Sequence, residues 1–185
     1  MVYFYRGHAY DELGNKNQAI NDFNKSIELD PKDGRTYYSR GVTYNNLGNN
    51  NQAIKDFDKA IELDPKGELA YAKRAATYYI LGNYNQAIKD FDKAIELNPQ
   101  LEGVYKLRAI AYSQLGNLNH AMKDLDKAIE MDPKDESAYA KRAATYYDLG
   151  NYNQAIKDFD KAIELNPQFA LAYHNRGLAY AALGN

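Results

Sequence analysis

The chain has 185 residues, 23 Lys and Arg against 25 Asp and Glu for a net charge of −2, and no cysteine. This excludes disulfides, thiolate metal sites and a cysteine nucleophile, and it argues against a dedicated nucleic-acid binder, which carries a basic excess to neutralise phosphates. No run approaches the ~18 apolar residues of a membrane span, and Met1-Val2-Tyr3-Phe4-Tyr5-Arg6 lacks the shape of a signal peptide, so a soluble, cytoplasmic protein is expected.

The elements keep a clock of 34 residues. Leu-Gly-Asn recurs at Leu13, Leu47, Leu81, Leu115, Leu149 and Leu183. Pro31, Pro65, Pro99, Pro133 and Pro167 keep the same time, as do Ala19, Ala53, Ala87, Ala121 and Ala155. The units are 1–33, 34–67, 68–101, 102–135, 136–169 and a partial 170–185, read as a single array. Each complete unit predicts two helices. In the third, Tyr71, Arg74, Ala75 and Tyr78 share one face, and after Gly82 so do Ala87, Asp90, Phe91 and Ala94. Gly82 can take the left-handed conformation that ends a helix. Asn83 with Gln86 resembles a capping box, and Pro99 disfavours helix at Asn98. The partial unit adds one helix, which makes eleven and no strand. Residues 70–100 and 138–168 are identical except that Ile80 is replaced by Asp148, which marks a duplicated or designed block.

A 34-residue period with Tyr37-x2-Arg40-Gly41-x2-Tyr44, then Ala53-x3-Phe57, then Pro65 resembles the tetratricopeptide repeat, W-x2-L-G-x2-Y…A-x3-F…P. The resemblance spans the whole chain. Tyrosine replaces tryptophan in every unit, and arginine replaces leucine at Arg6, Arg40, Arg74, Arg108, Arg142 and Arg176. The resemblance implies an all-α fold, an α-solenoid of stacked hairpins wound as a right-handed superhelix. It also implies a non-enzymatic scaffold that holds a peptide or protein segment along the first helices.

No catalytic or metal site emerges. His8, His120 and His174 fall in units one, four and six, too far apart to share an ion. Phosphate-loop and GxSxG motifs are absent, and no cofactor is implied. Asp56, Asp58 and Glu62 recur unit after unit, as structural or solvating residues do. Twelve of the 18 tyrosines occupy two repeated packing positions; Tyr5, Tyr38, Tyr79 and Tyr147 fall on the opposite face. By resemblance that face is the concave groove, and the residues expected there are Tyr5, Tyr38, Ser39, Lys73, Ala76, Tyr79, Lys106, Ile110, Lys141, Ala144, Tyr147 and His174. Gly103 is counted among the groove positions of unit four. These positions vary between units, as ligand-shaped or unconstrained residues would. Apolar patches with Lys73, Lys106 and Lys141 suit a partner with apolar and acidic residues. The family's carboxylate clamp, Lys-x3-Asn on this face, is not met, since Lys106 is followed by Ile110. Alternatives are an adaptor fragment of a larger enzyme or secretion factor, a designed or self-assembling array, and RNA binding, which lacks a positive net charge to support it. Leu171, Leu178 and Leu183 on the last helix suggest either further chain or end-to-end self-association.

The repeated arginine faces a repeated aspartate sixteen residues on: Arg6 and Asp22, Arg40 and Asp56, Arg74 and Asp90, Arg108 and Asp124, Arg142 and Asp158. Folding each hairpin at its Gly brings the two within about one turn, ~5 Å, so a two-point salt bridge inside each hairpin is expected. Arg176 would then lack a partner. The alternative is pairing with the preceding hairpin, as Arg74 with Asp56, which would orphan Arg6.

Overall fold

A computed structural model describes residues 1–184. The helices are α1 (Val2–Glu12), α2 (Lys16–Leu29), α3 (Gly34–Asn46), α4 (Asn50–Leu63), α5 (Glu68–Ile80), α6 (Tyr84–Leu97), α7 (Val104–Gln114), α8 (Leu118–Met131), α9 (Glu136–Asp148), α10 (Tyr152–Leu165) and α11 (Ala170–Leu183). Among the described residues there are eleven helices and no strand, and no helix is long and apolar enough to cross a membrane.

The turn inside each hairpin is set by one glycine. Gly82 has φ +76°, a conformation that costs a side chain dearly. There its N–H bonds to Tyr79 O at 3.0 Å and the Asn83 N–H bonds to Tyr78 O at 2.8 Å, which closes the α5 C-terminus as a Schellman motif. The next helix starts differently from the capping box expected. Asn83 makes no side-chain cap. Its backbone carbonyl already accepts the Gln86 and Ala87 N–H groups at 3.1 and 3.0 Å, so the N3 donor that a capping box would use is served without the side chain. Side-chain caps occur instead at Asp33, which accepts from the Arg35 N–H, and at Asp135, which accepts from the Ser137 and Ala138 N–H groups.

Packing repeats with the turns. Phe23, Phe57, Phe91, Leu125 and Phe159 of the second helices are buried, beside Ala19, Ala53, Ala87, Ala121 and Ala155. The first helix offers a small residue where the ring lands. A Cβ added to Gly41 would sit 2.8 Å from the Phe57 ring, so glycine there permits closest approach.

The chain forms two compact units, each spanning several repeats and from here called unit one, 1–99, and unit two, 100–185. In the first, α1–α2, α3–α4 and α5–α6 are hairpins. In the second, α7–α8 and α9–α10 are hairpins and α11 packs on α10. Within each unit, the first helix of one hairpin touches the first helix of the next, as α1 with α3 and α9 with α11, whereas successive second helices do not meet. The first helices therefore form the inner face of each unit.

The second unit begins late. Gly103, read from the sequence as a groove position, lies outside α7 as its N-cap, in the left-handed conformation at φ +74°. The corresponding Arg35, Leu69 and Ser137 lie inside their helices. A glycine in the first turn loses helix to the entropy of its backbone and takes the positive φ open to it.

Candidate functional site

The repeated arginines occupy the hairpin interior. Arg74 donates from Nε to Asp90 Oδ2 at 2.7 Å and from Nη2 to Asp90 Oδ1 at 2.8 Å. The same fork joins Arg6 to Asp22, Arg40 to Asp56, Arg108 to Asp124 and Arg142 to Asp158. The guanidinium also lies over a tyrosine face, 5.6 Å from the Tyr71 ring centre for Arg74.

Two details differ from the sequence reading. The third nitrogen reaches the preceding hairpin: Arg74 Nη1 bonds to Asp58 Oδ1 at 2.6 Å, Arg142 Nη1 to Asp126 Oδ1 at 2.8 Å, and Arg40 Nη1 to Asn24 Oδ1 at 2.6 Å. Arg176 is accordingly not orphaned, since its Nη1 bonds to Asp160 of the preceding hairpin. Bonding within the hairpin and to the preceding hairpin coexist, because one edge of the fork is spent on each. The neighbouring acceptor is Asp58 rather than Asp56, whose carboxylate belongs to Arg40.

With these residues consumed in packing, the variable positions of the first helices remain accessible. In unit one, Tyr38 and Ser39 line a cavity of about 530 Å³ together with Phe4, His8, Arg35 and Leu69. His8 Nε2 and Ser39 Oγ are 3.0 Å apart, and the Arg35 guanidinium sits over the Phe4 ring. Phe4 and His8 were not assigned to this face from the sequence. Counting 34 residues back from Tyr38 gives Phe4, so the repeat register alone could have found it. Tyr5 is exposed beside Phe4, and Lys73 is exposed on α5. Tyr79 leans on Tyr84 of its own hairpin at 5.4 Å, near half-buried Ala76.

In unit two, Ile110, Lys141 and Ala144 line one notch of about 130 Å³, and Ala144 and Tyr147 line another of about 160 Å³ with Phe159 and Leu178. His174 is exposed on α11, away from both notches. Lys106 is not a free cation, as the sequence suggested. Its Nζ donates to Asp135 Oδ2 at 2.5 Å and to Ser137 Oγ at 2.8 Å. Lys141 lies half-buried nearby. Burial pushes its ammonium below the ordinary 10.5 and Lys106 pushes it further, with Asp135 opposing. His120 is exposed at the start of α8, stacked on Tyr112. Among the described residues no group of three or more His, Asp or Glu could hold a metal ion.

Three carboxylates of these networks are held below their ordinary 3.8. Asp22 is lowered by the Arg6 fork and Asp33 by Arg35 and Thr36. Burial pushes Asp135 up, but Lys106 and Ser137 outweigh it. A carboxyl lowered on folding contributes stability that is complete above its unfolded pKa and lost as pH falls through the folded one. Urea midpoints should therefore fall below about pH 4, and Asp135→Asn, which keeps the cap, should shallow that fall. An acid limb identical in the variant would contradict the assignment.

Tetratricopeptide repeat profiles match residues 1–33, 34–66 and 69–101, and a TPR repeat profile matches 111–150 and 144–184. The chain belongs to the tetratricopeptide repeat family. Solved tetratricopeptide structures resemble it over nearly its whole length. The crystal structure of MamA is 27% identical, covering 89% of this chain and 96% of that one, with a TM-score of 0.84. YrrB, described as a TPR protein with an unusual peptide-binding site, is 22% identical over 95% of this chain and 90% of its own, with a TM-score of 0.84. A tetratricopeptide repeat protein from Parabacteroides merdae is 22% identical over 98% of this chain and 72% of its own, at 0.87. No curated protein shows significant similarity in sequence. A tetratricopeptide array is an interaction scaffold by type, and the repeated framework here accords with that.

Proposed function

We propose that this protein is a non-enzymatic scaffold whose first-helix faces hold a peptide segment of a partner protein. One observation carries the reading. Residues copied into every repeat are spent on packing and ion pairs, while variable first-helix positions line cavities on each of the two compact units. A residue freed from the framework can be shaped by a ligand, and this face combines aromatic anchors with polar groups as binding surfaces do. YrrB, of the same fold, is described as having a peptide-binding site, which is compatible with such use.

The test is photo-crosslinking of a peptide selected for binding. A benzophenone side chain placed at Tyr38 or Tyr147 should capture it, and the same group at Lys93 or Lys161 on the second helices should not. For a peptide held on α9, Tyr147→Ala should weaken binding roughly tenfold, as loss of an aromatic anchor does. Crosslinks confined to the second helices would overturn the reading.

A further inference from the structure

The α9 face carries two charges that the framework does not use. Lys141 is half-buried, and its ammonium has no hydrogen-bond or ion-pair partner among the described residues. The charged groups that act on its ammonium are Lys106 and Asp135, which already neutralise one another at 2.5 Å. A cation taken partly out of water without a counter-ion is an unsatisfied charge, and an incoming carboxylate would relieve it. Two helical turns on, Asp148 is exposed, also without an ion-pair partner among the described residues. Between them lies Ala144, whose small side chain opens the notch floored by Phe159 and Leu178. The residues that α11 sends to this notch, Asn175 and Leu178, carry no charge.

The duplicated block sharpens the point. In unit one the same 31-residue stretch has Lys73 exposed and Ile80 in place of Asp148. The pairing of a half-buried lysine with a carboxylate seven residues later is thus peculiar to α9.

We infer that the α9 face selects an extended peptide reading acid-x-apolar-x-base, with the acid on Lys141, the apolar side chain in the Ala144 notch and the base on Asp148. This rests on the peptide-holding reading above. The spacing follows from geometry. Seven residues of helix rise ~10 Å, and side chains lean toward the helix N-terminus, so the longer lysine stretches the span between its charge and that of Asp148. Alternate residues of an extended chain share one face, and four residues cover ~13 Å.

Random twelve-residue peptides displayed on phage, selected on the intact chain, would test this. Acid-x-apolar-x-base should be enriched. Selection on Lys141→Met should lose the acid, selection on Asp148→Ile should lose the base, and Lys73→Met should change neither. A synthetic winner with its Glu replaced by Gln should bind the intact chain roughly tenfold more weakly, the size of one lost charge-assisted bond, yet bind Lys141→Met unchanged. Winners that depend on Tyr147 but lack the charge pattern, or keep it on Lys141→Met, would refute this inference and leave the scaffold reading standing. If no selected peptide responds to any first-helix substitution, both fail.

Discussion

Asp90→Ala is expected to lower stability by about 3 kcal/mol, the lower end of what breaking a buried ion pair costs. The side chains of Arg74 and Asp90 are 16% and 6% exposed, so the loss leaves a largely desolvated guanidinium without two of its three hydrogen bonds. Asp58 still holds Nη1, which keeps the cost from the upper end. Asp58→Ala should cost less than about 1 kcal/mol, because that carboxylate is half exposed and solvent replaces the bond. Arg74→Leu with Asp90→Ala should cost less than Asp90→Ala alone, since no buried charge is left unpaired, solvent serves half-exposed Asp58, and leucine is what the family places there. Asp22→Ala is the milder case, because the Arg6 side chain is 52% exposed and water can take over. Urea unfolding followed by helical circular dichroism orders the four variants. A double substitution worse than Asp90→Ala would show that the ion pair stabilises the hairpin beyond what leucine packing supplies there.

Phe91→Ala should cost about 3–5 kcal/mol, the range for removing a buried aromatic ring whose cavity cannot collapse. Phe91 has no exposure and stands one repeat on from Phe57, with buried Ala75 at the position where Gly41 meets the Phe57 ring. Phe91→Leu should cost far less, because Leu125 fills the equivalent place in α8 and is itself buried. Hydrogen exchange should show the Phe91→Ala loss concentrated in α5 and α6, since each hairpin packs chiefly on its neighbours. Uniform loss of protection across α1–α6 would mean that unit one opens as a block.

The period made the hairpins legible, because every turn needs its glycine and every hairpin end its proline. The Arg–Asp forks were legible too, since both partners lie on elements joined by a three-residue turn. What could not be read was contact between successive hairpins. The bond from Arg74 to Asp58 and the neutralisation of Lys106 by Asp135 depend on the angle at which one hairpin meets the next, which no spacing within a unit encodes. Gly103 shows another limit. Its type was visible, but whether it continues a helix or caps it turns on less than about 1 kcal/mol of backbone entropy.

Helices α6 and α10 have the same fourteen residues, and α5 differs from α9 only in having Leu69 for Ser137 and Ile80 for Asp148. Contact chemistry therefore gives α5 no means of telling its own mate from α10. The choice is left to the tether, three residues to α6 against 71 to α10. Loop entropy grows as the logarithm of length, so this difference is worth about 3 kcal/mol, or roughly a hundredfold. The α6 of another chain is an equally good mate and is held off only by the effective concentration of the short turn, millimolar in scale for a short linker. Lengthening the Leu81–Asn83 connection would erode that fidelity without altering a single packed atom, and would turn an exchanged helix from a rare error into a route to dimers.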